Sequence, residues 1–496
     1  MTDTDASGAA STSDATDASG AASTSDATDA SGAASTSDAT DASGAASTTD
    51  ATDASGAAST TDARPTTVSA PATAAVVDRT GALSLLARCD ELASYSTLPN
   101  GLIRRVYLTD EHRAVNALAA GWMIEAGMTT WQDAAGNQCG RLEGAVPGLP
   151  AVLLGSHLDT VPSAGRYDGI LGVLTAIAVV DRIHSAGIRL PFALEVVAFG
   201  DEEGTRFGRA LLGSRALAGT FDPNWLDLTD EQGVTLREAY RAFGLDPEKL
   251  TDAARTPESL VAYLEAHIEQ GPYLEEASHA LGIVSSIAGA RRFAITINGH
   301  AGHSGTPFDR RKDALAGAAE IVTMIETTAR FAGLIATVGH LEVFPNAVNV
   351  IPGRVELSLD LRGEFDDERD HVWSEINANI AATCQARDLT FTVRQTHNAP
   401  AVVCSPHLRE AIAAGIHSTG NPEPKLLLSR AGHDGMAVAD VTDIAMLFIR
   451  CRGGVSHHPD EHVEAADVAL ATDAFEQAVL SLAAQMPLAV DPPVLA

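Results

Sequence analysis

The run Gly155-Ser156-His157-Leu158-Asp159-Thr160 sets an imidazole and a carboxylate two residues apart, and Asp168 follows in Tyr167-Asp168-Gly169. A neutral imidazole and a carboxylate together suit a hard-to-borderline divalent metal ion. Asp159 is close enough in sequence to orient the His157 ring without touching the ion itself. By itself, His-x-Asp after an apolar run fits a hydrogen-bonding loop equally well. The segment Phe199-Gly200-Asp201-Glu202-Glu203-Gly204 then sets three acids in a row. Adjacent carboxylates repel one another unless a cation sits among them. Alone they fit a solvated turn. Beside the histidine segment, a metal becomes the natural counter-charge, with Glu203 as ligand and Glu202 left free as a general base.

Two more polar segments each supply a histidine: His267 in Ala266-His267-Ile268-Glu269-Gln270-Gly271-Pro272, and His457 in Gly454-Val455-Ser456-His457-His458-Pro459. Either histidine singly fits a structural role. Four segments that each offer a metal-compatible donor are harder to explain by chance. Three histidines, one glutamate and one aspartate suit two divalent ions bridged by Asp168. Zinc or manganese fits such a set, and so does cobalt.

The elements that hold these residues follow from the apolar pattern. Residues 151–155 and 192–199 are short apolar runs of the kind found in buried parallel strands, with a helical stretch near 172–186 between them. Another helix is expected over 109–126, with Val115, Leu118, Ala119, Trp122 and Met123 along one face. Strand, helix, strand indicates an α/β sheet, whose sites form beyond the carboxyl ends of the strands. Residues 282–399 read differently: strand (292–297), helix (313–328), strand (334–343), strand (354–362), helix (367–384), strand (390–394). That β-α-β-β-α-β order suggests a ferredoxin-like module. The α/β pattern resumes with an apolar strand at 445–449. The expected architecture is an α/β, mixed-sheet catalytic domain of residues 66–281 and 400–496, interrupted by a ferredoxin-like lid of residues 282–399.

Composition narrows the function classes. The chain has 496 residues, enough for two or three domains. Residues 4–63 are five copies of a twelve-residue unit, Thr-Asp-Ala-Ser-Gly-Ala-Ala-Ser-Thr-[Ser/Thr]-Asp-Ala. Such units carry no large apolar residue to offset ordering entropy, so residues 1–65 are expected to be a disordered acidic tail. The formal net charge is −32; residues 1–63 hold 11 Asp and no base, leaving 54 acids against 33 bases in the rest. That balance argues against nucleic acid, which needs a basic surface to displace counterions. Only three lysines stand against 30 arginines, a bias that fits genome base composition better than salt adaptation. No apolar run is long enough to span a bilayer, and the N-terminus lacks the basic and apolar parts of a secretory signal. Five scattered cysteines form no Cys-x-x-Cys pair. A cytoplasmic protein without a membrane partner is expected.

These four segments, in order, resemble the amidohydrolase branch of peptidase family M20, which includes N-carbamoyl-L-amino-acid hydrolase, β-ureidopropionase and allantoate amidohydrolase. The resemblance runs over about residues 80–485. Peptidases of that family usually have a carboxylate where His267 stands, whereas His-Ile-Glu-Gln-Gly-Pro resembles the amidohydrolases. The resemblance implies that His157 and His267 hold one metal, Glu203 and His457 the other, and that Asp168 bridges. It implies Glu202 as base, Asp159 in support of His157, and a homodimer formed through the lid. Asn349 in Asn-Val-Ile-Pro, Arg362 at the end of Leu-Ser-Leu-Asp-Leu-Arg, Gln270 and His433 in Ala-Gly-His-Asp-Gly resemble substrate-contacting positions. Arg suits bidentate carboxylate binding.

His303, in Gly-His-Ala-Gly-His-Ser-Gly-Thr-Pro, would polarise the scissile carbonyl from the other subunit. The loop before Pro307 is one residue shorter than in relatives, which leaves His300 as a competitor. His458 is a second departure. The expected reaction is hydrolysis of the ureido carbon–nitrogen bond of an N-carbamoyl amino acid or similar small ureido acid. The rivals are allantoate hydrolysis, an M20-type aminopeptidase, and a metal-binding protein without activity. The last is disfavoured by an intact Glu202 and a full ligand set.

Overall fold

A computed structural model describes residues 80–421 and 423–486; the repeat tail assigned to residues 1–65 lies outside the described residues. Four strands, Ala193–Phe199, Ala151–His157, Leu260–Ile268 and Ile444–Ile449, lie side by side in that order and run parallel. Every residue of Ala151–His157, Ala193–Phe199 and Ile444–Ile449 is buried, which explains unbroken apolar runs in place of alternation. Outer strands complete a nine-stranded mixed sheet. Gln138–Leu142 and Thr129–Gln132 extend one side antiparallel. On the other side Leu281–Ile287 pairs antiparallel with Ile444–Ile449 and with Val402–Val403, and parallel with Lys425–Ser429.

The helix expected near 172–186 forms at Ile170–Ser185. It packs on Ala151–His157 and Leu260–Ile268 and is covered by helices Thr80–Ala93 and Ala465–Ala484. Contact on both sides explains why it is apolar all round. The helix expected over 109–126 spans Asp110–Glu125, where the Thr109 hydroxyl caps the first turn and Val115, Ala119, Trp122 and Met123 are buried.

A second, five-stranded sheet is wholly antiparallel, in the order Leu341–Phe344, Arg354–Gly363, Gly289–Asn298, Thr390–Ala399, with Ile335–Thr337 also paired to Arg354–Gly363. The strand expected over 334–343 is thus divided in two. Helices Ala314–Phe331 and Asp366–Ala386 pack on this sheet around a separate core. The expected boundary at residue 282 moves, because Leu281–Ile287 is buried at every residue and pairs within the central sheet. The second sheet begins at Gly289.

Alternation in Arg354–Gly363 buries Val355, Leu357, Leu359 and Leu361 and leaves Asp360 and Arg362 on the opposite face. The register aligns Asp360, Arg292 and His397 in one row across three strands, and Arg362, Ala290 and Ala399 in the next. No helix among the described residues is long and apolar enough to cross a membrane.

Candidate metal centre

All four chemistry-bearing segments sit at the carboxyl ends of the four parallel strands. His157 is the last residue of its strand, His267 lies within the last two residues of its own, Glu202 and Glu203 follow Phe199, and His457 follows Ile449. Open α/β sheets collect their sites there. Gly169 enters the helix Ile170–Ser185 with φ 73°, and a Cβ at this position would collide with the His157 ring. Glycine is therefore required twice over, by conformation and by space.

Asp168 divides its carboxylate between two groups of partners. Its Oδ1 lies 3.3 Å from His267 Nε2 and 3.9 Å from His157 Nε2, while Oδ2 lies 3.0 Å from His457 Nε2. Glu203 Oε1 is 3.5 Å from the same His457 nitrogen. Two donor groups result, His157–Asp168–His267 and Asp168–Glu203–His457, each with its ligand atoms within 4.8 Å of one another. A third group, His157–Glu202–Glu203, overlaps both. His157 Nδ1 meets the backbone carbonyl of Asp159 at 3.0 Å, and His267 Nδ1 that of Ile268 at 2.9 Å. Each ring is thereby fixed with Nε2 turned inward. His267 Nε2 is buried and makes no hydrogen bond. Donor separations of this size fit ligands each about 2.0–2.2 Å from a shared ion. The residues fit a pair of divalent cations.

The electrostatics agree. Burial, then the charges of Glu203 and Asp434, hold the Glu202 carboxyl well above the usual range. Burial, then Asp168, pushes Glu203 up to about 8. Burial would lower His267, yet the Asp168 carboxylate 3.3 Å away carries it up to about 9; His457 reaches about 9 mainly through Asp168. Burial would raise Asp168, but His267 and His457 hold it well below the carboxylate range. Carboxyls that raise one another, and the raised His267 and His457 among them, mark a cluster that favours positive charge.

The structure treats the other expected residues unequally. The Asp159 carboxylate accepts the backbone N–H groups of Glu202 and Glu203 at 3.0 and 3.1 Å, and stands 3.6 Å from His157 Nδ1. It positions the acidic loop more directly than the imidazole. Gln270 Nε2 donates to Asp168 Oδ2 at 3.0 Å. His433 is buried with Nε2 2.7 Å from Ser429 Oγ, its ring packed edge-on against His267. A cavity of about 420 Å³ opens above the centre, lined by the five expected ligands, Glu202 and Gln270 on one side and by Arg362 of the second sheet on another. Within it Arg362 pairs through Nε and Nη2 with Asp360 and donates from Nη1 to the Arg430 carbonyl. His303 and Asn349 do not line this cavity. His303 ends the short strand Gly302–His303 and Asn349 immediately precedes its partner Val350–Ile351; both residues are exposed, and Ser304 N–H donates to the Asn349 carbonyl. His300 is exposed as well.

Several site residues were not legible beforehand. Glu461 accepts the Tyr167 and Asp168 N–H groups and the Ser456 hydroxyl, and Ser456 also donates to Asp168. Arg209, Arg215, Arg292 and His397 line the cavity alongside Arg362. The only signal for the first two was three arginines (206, 209 and 215) soon after Glu203.

Residues 153–481 match Peptidase family M20/M25/M40. The chain belongs to this family. It is 42% identical over 401 residues to an N-carbamoyl-L-amino acid amidohydrolase of Geobacillus stearothermophilus, covering 80% of this chain and 98% of that protein. It is 38% identical over 418 residues to an allantoate deiminase of Arabidopsis thaliana, covering 78% and 79%. Among solved structures, an amidase of the hydantoinase/carbamoylase family from Burkholderia multivorans superposes with TM-score 0.75 at 32% identity, covering 81% of this chain and 98% of that one. An aminopeptidase PepT from Bacillus cereus shares the fold at TM-score 0.57 and 15% identity, covering 81% and 99%. The resemblance read from the four motifs and these relatives agree.

Proposed function

We propose that the chain is a two-metal amidohydrolase that cleaves the ureido carbon–nitrogen bond of a small ureido acid, an N-carbamoyl amino acid first among them. The observation that carries this reading is the divided carboxylate of Asp168, with Glu202 beside it in the same cavity. The names of the relatives support the bond type.

His157 and His267 would hold one ion, Glu203 and His457 the other, with Asp168 between them. Such ions, when bound, lower the pKa of water and polarise a carbonyl oxygen. Glu202 accepts the proton of the attacking water and returns it to the leaving nitrogen. The released carbamate decomposes to carbon dioxide and ammonia. Arg362 and Gln270 orient the substrate from opposite walls of the cavity, and His433 packs behind His267.

Residues 289–399 act as a ferredoxin-like lid through which two copies associate. His303 and Asn349, exposed and outside their own cavity, then serve the partner's site, His303 at the scissile carbonyl. Zinc, manganese and cobalt all suit the donor set.

The test is metal analysis of the purified full-length chain, with ammonia release from N-carbamoyl amino acids, allantoate and a dipeptide. Metal near two per chain and ammonia from the ureido acids are expected. Cleavage of the dipeptide alone would overturn the reading in favour of a peptidase.

A further inference from the structure

The wall of the cavity that faces the metal centre is more cationic than one substrate carboxylate requires. Four guanidinium groups line it: Arg209 and Arg215 from the segment after Glu203, and Arg292 and Arg362 from the second sheet. A single carboxylate, Asp360, answers the last two, pairing with Arg292 at 2.8 Å and with Arg362 at 2.9 Å. Arg209 and Arg215 have no ion pair or side-chain hydrogen bond among the described residues. Both instead lie against one indole, their Cζ atoms 4.8 and 6.0 Å from the Trp225 ring centroid.

Two like charges on one ring repel each other, and the indole face offsets only part of that cost. Arg215 is partly buried, and burial lowers its pKa although the charge of Asp440 opposes this. His397 stands in the same row as Arg292 and Asp360 and also lines the cavity. Burial, followed by the charges of Arg292 and Arg209, lowers its pKa. Ala288, Ala290 and Ala399, all small, line the same cavity. The chain as a whole carries a formal −32, so this local excess of positive charge opposes the general field.

We propose that Arg209 and Arg215, with Arg292 and His397, form a second anion subsite, and that the substrate is a ureido acid with two carboxylates, the N-carbamoyl derivative of an acidic amino acid. This rests on the ureido-hydrolase reading and narrows it. Arg362 takes the carboxylate on the reacting side, and the second subsite takes the side-chain carboxylate. Arg suits both tasks because its planar fork binds carboxylate in two places.

The test compares N-carbamoyl-L-glutamate with N-carbamoyl-L-glutamine, nearly identical in shape and different in charge, on the full-length metal-loaded chain. The acid is expected to be favoured at least about tenfold in kcat/KM, the scale of one charge-assisted pair. In the Arg209→Gln, Arg215→Gln double variant that ratio should fall towards unity. Arg209→Glu should reverse it. Both substrates are measured on one preparation, so any loss of folded protein cancels in the ratio. Turnover of the amide without preference for the acid, or a ratio unmoved by the variants, overturns the subsite and leaves the ureido reading standing. Ammonia from neither substrate, nor from N-carbamoyl-L-norvaline, overturns both.

Discussion

Asp159 and Glu202 are joined through the backbone: Asp159 Oδ1 accepts the Glu202 N–H at 3.0 Å, while Oδ2 accepts the next N–H, that of Glu203, at 3.1 Å. Asp201, just before them, adopts φ 64°, and this left-handed residue turns both amides toward Asp159. The carboxylate that follows the first histidine thus fixes the loop that supplies the base. Two strand ends become one rigid unit, which is how a positioned proton acceptor is kept in place.

Replacing Asp159 with Ala should therefore act on the acidic loop as well as on His157. The buried N–H of Glu202 and the partly buried N–H of Glu203 lose their acceptor, at about 1–3 kcal/mol for the first and less for the second. A melting temperature lower by several degrees is expected, together with reduced turnover. Asp159→Asn keeps one acceptor oxygen and should lie between. A melting temperature unchanged in Asp159→Ala would refute the backbone role.

Glu202→Gln removes the proton acceptor but keeps the shape and its backbone N–H. Turnover should fall by roughly 10²–10⁴-fold, as is typical for a positioned general base. Metal content measured by atomic emission should stay near wild type, because neither of the two donor groups that share Asp168 includes Glu202. Near-normal turnover would assign the base elsewhere.

Much of this centre was legible in the sequence because each ligand follows an apolar strand, and parallel strands all end on one edge. His157 and Glu203, 46 positions apart, meet for that reason alone. The cationic wall was not legible. Arg292 and His397 share a row only through strand register, and register is invisible until pairing is known. The boundary at residue 282 failed for a related reason. Leu281–Ile287, with Ser285 and Ser286 among its apolar residues, reads no differently from a strand of the second sheet, and its pairing with Ile444–Ile449 assigns it to the central one.

Gly169→Ala should disable the centre from outside the ligand set. The added Cβ would meet the His157 ring, and φ 73° disfavours any residue with a side chain. Faster loss of metal to a chelator is expected, along with lower thermal stability. If chelator kinetics were unchanged, the glycine would not be holding His157 in position.

The exposed pair His303 and Asn349 gives a test of association. Mixing inactive Glu202→Gln subunits with inactive His303→Ala subunits should restore part of the activity, since hybrid dimers would contain one intact site. An active monomer, or no recovery on mixing, would remove the role across subunits.

Arg362 is held before any substrate arrives. Its Nε and Nη2 are 2.9 and 3.2 Å from the two oxygens of Asp360, and Nη1 donates to the Arg430 carbonyl at 2.7 Å. The pairing also holds the Asp360 carboxyl below its ordinary range, against the opposing effect of burial. A substrate carboxylate must share this guanidinium with Asp360 or displace it. Arg362→Lys keeps the charge but cannot serve two carboxylates with a planar fork. A fall of at least about tenfold in kcat/KM for carboxylate substrates is expected, equivalent to about 1.4 kcal/mol. Most of that loss should vanish for an amide-capped analogue. Asp360→Asn should act in the opposite sense on KM, because it weakens the internal competitor while leaving the fork intact. Equal effects of Arg362→Lys on charged and capped substrates would show that the arginine only braces the wall. A KM raised by Asp360→Asn would show that Asp360 aims the fork and does not compete for it.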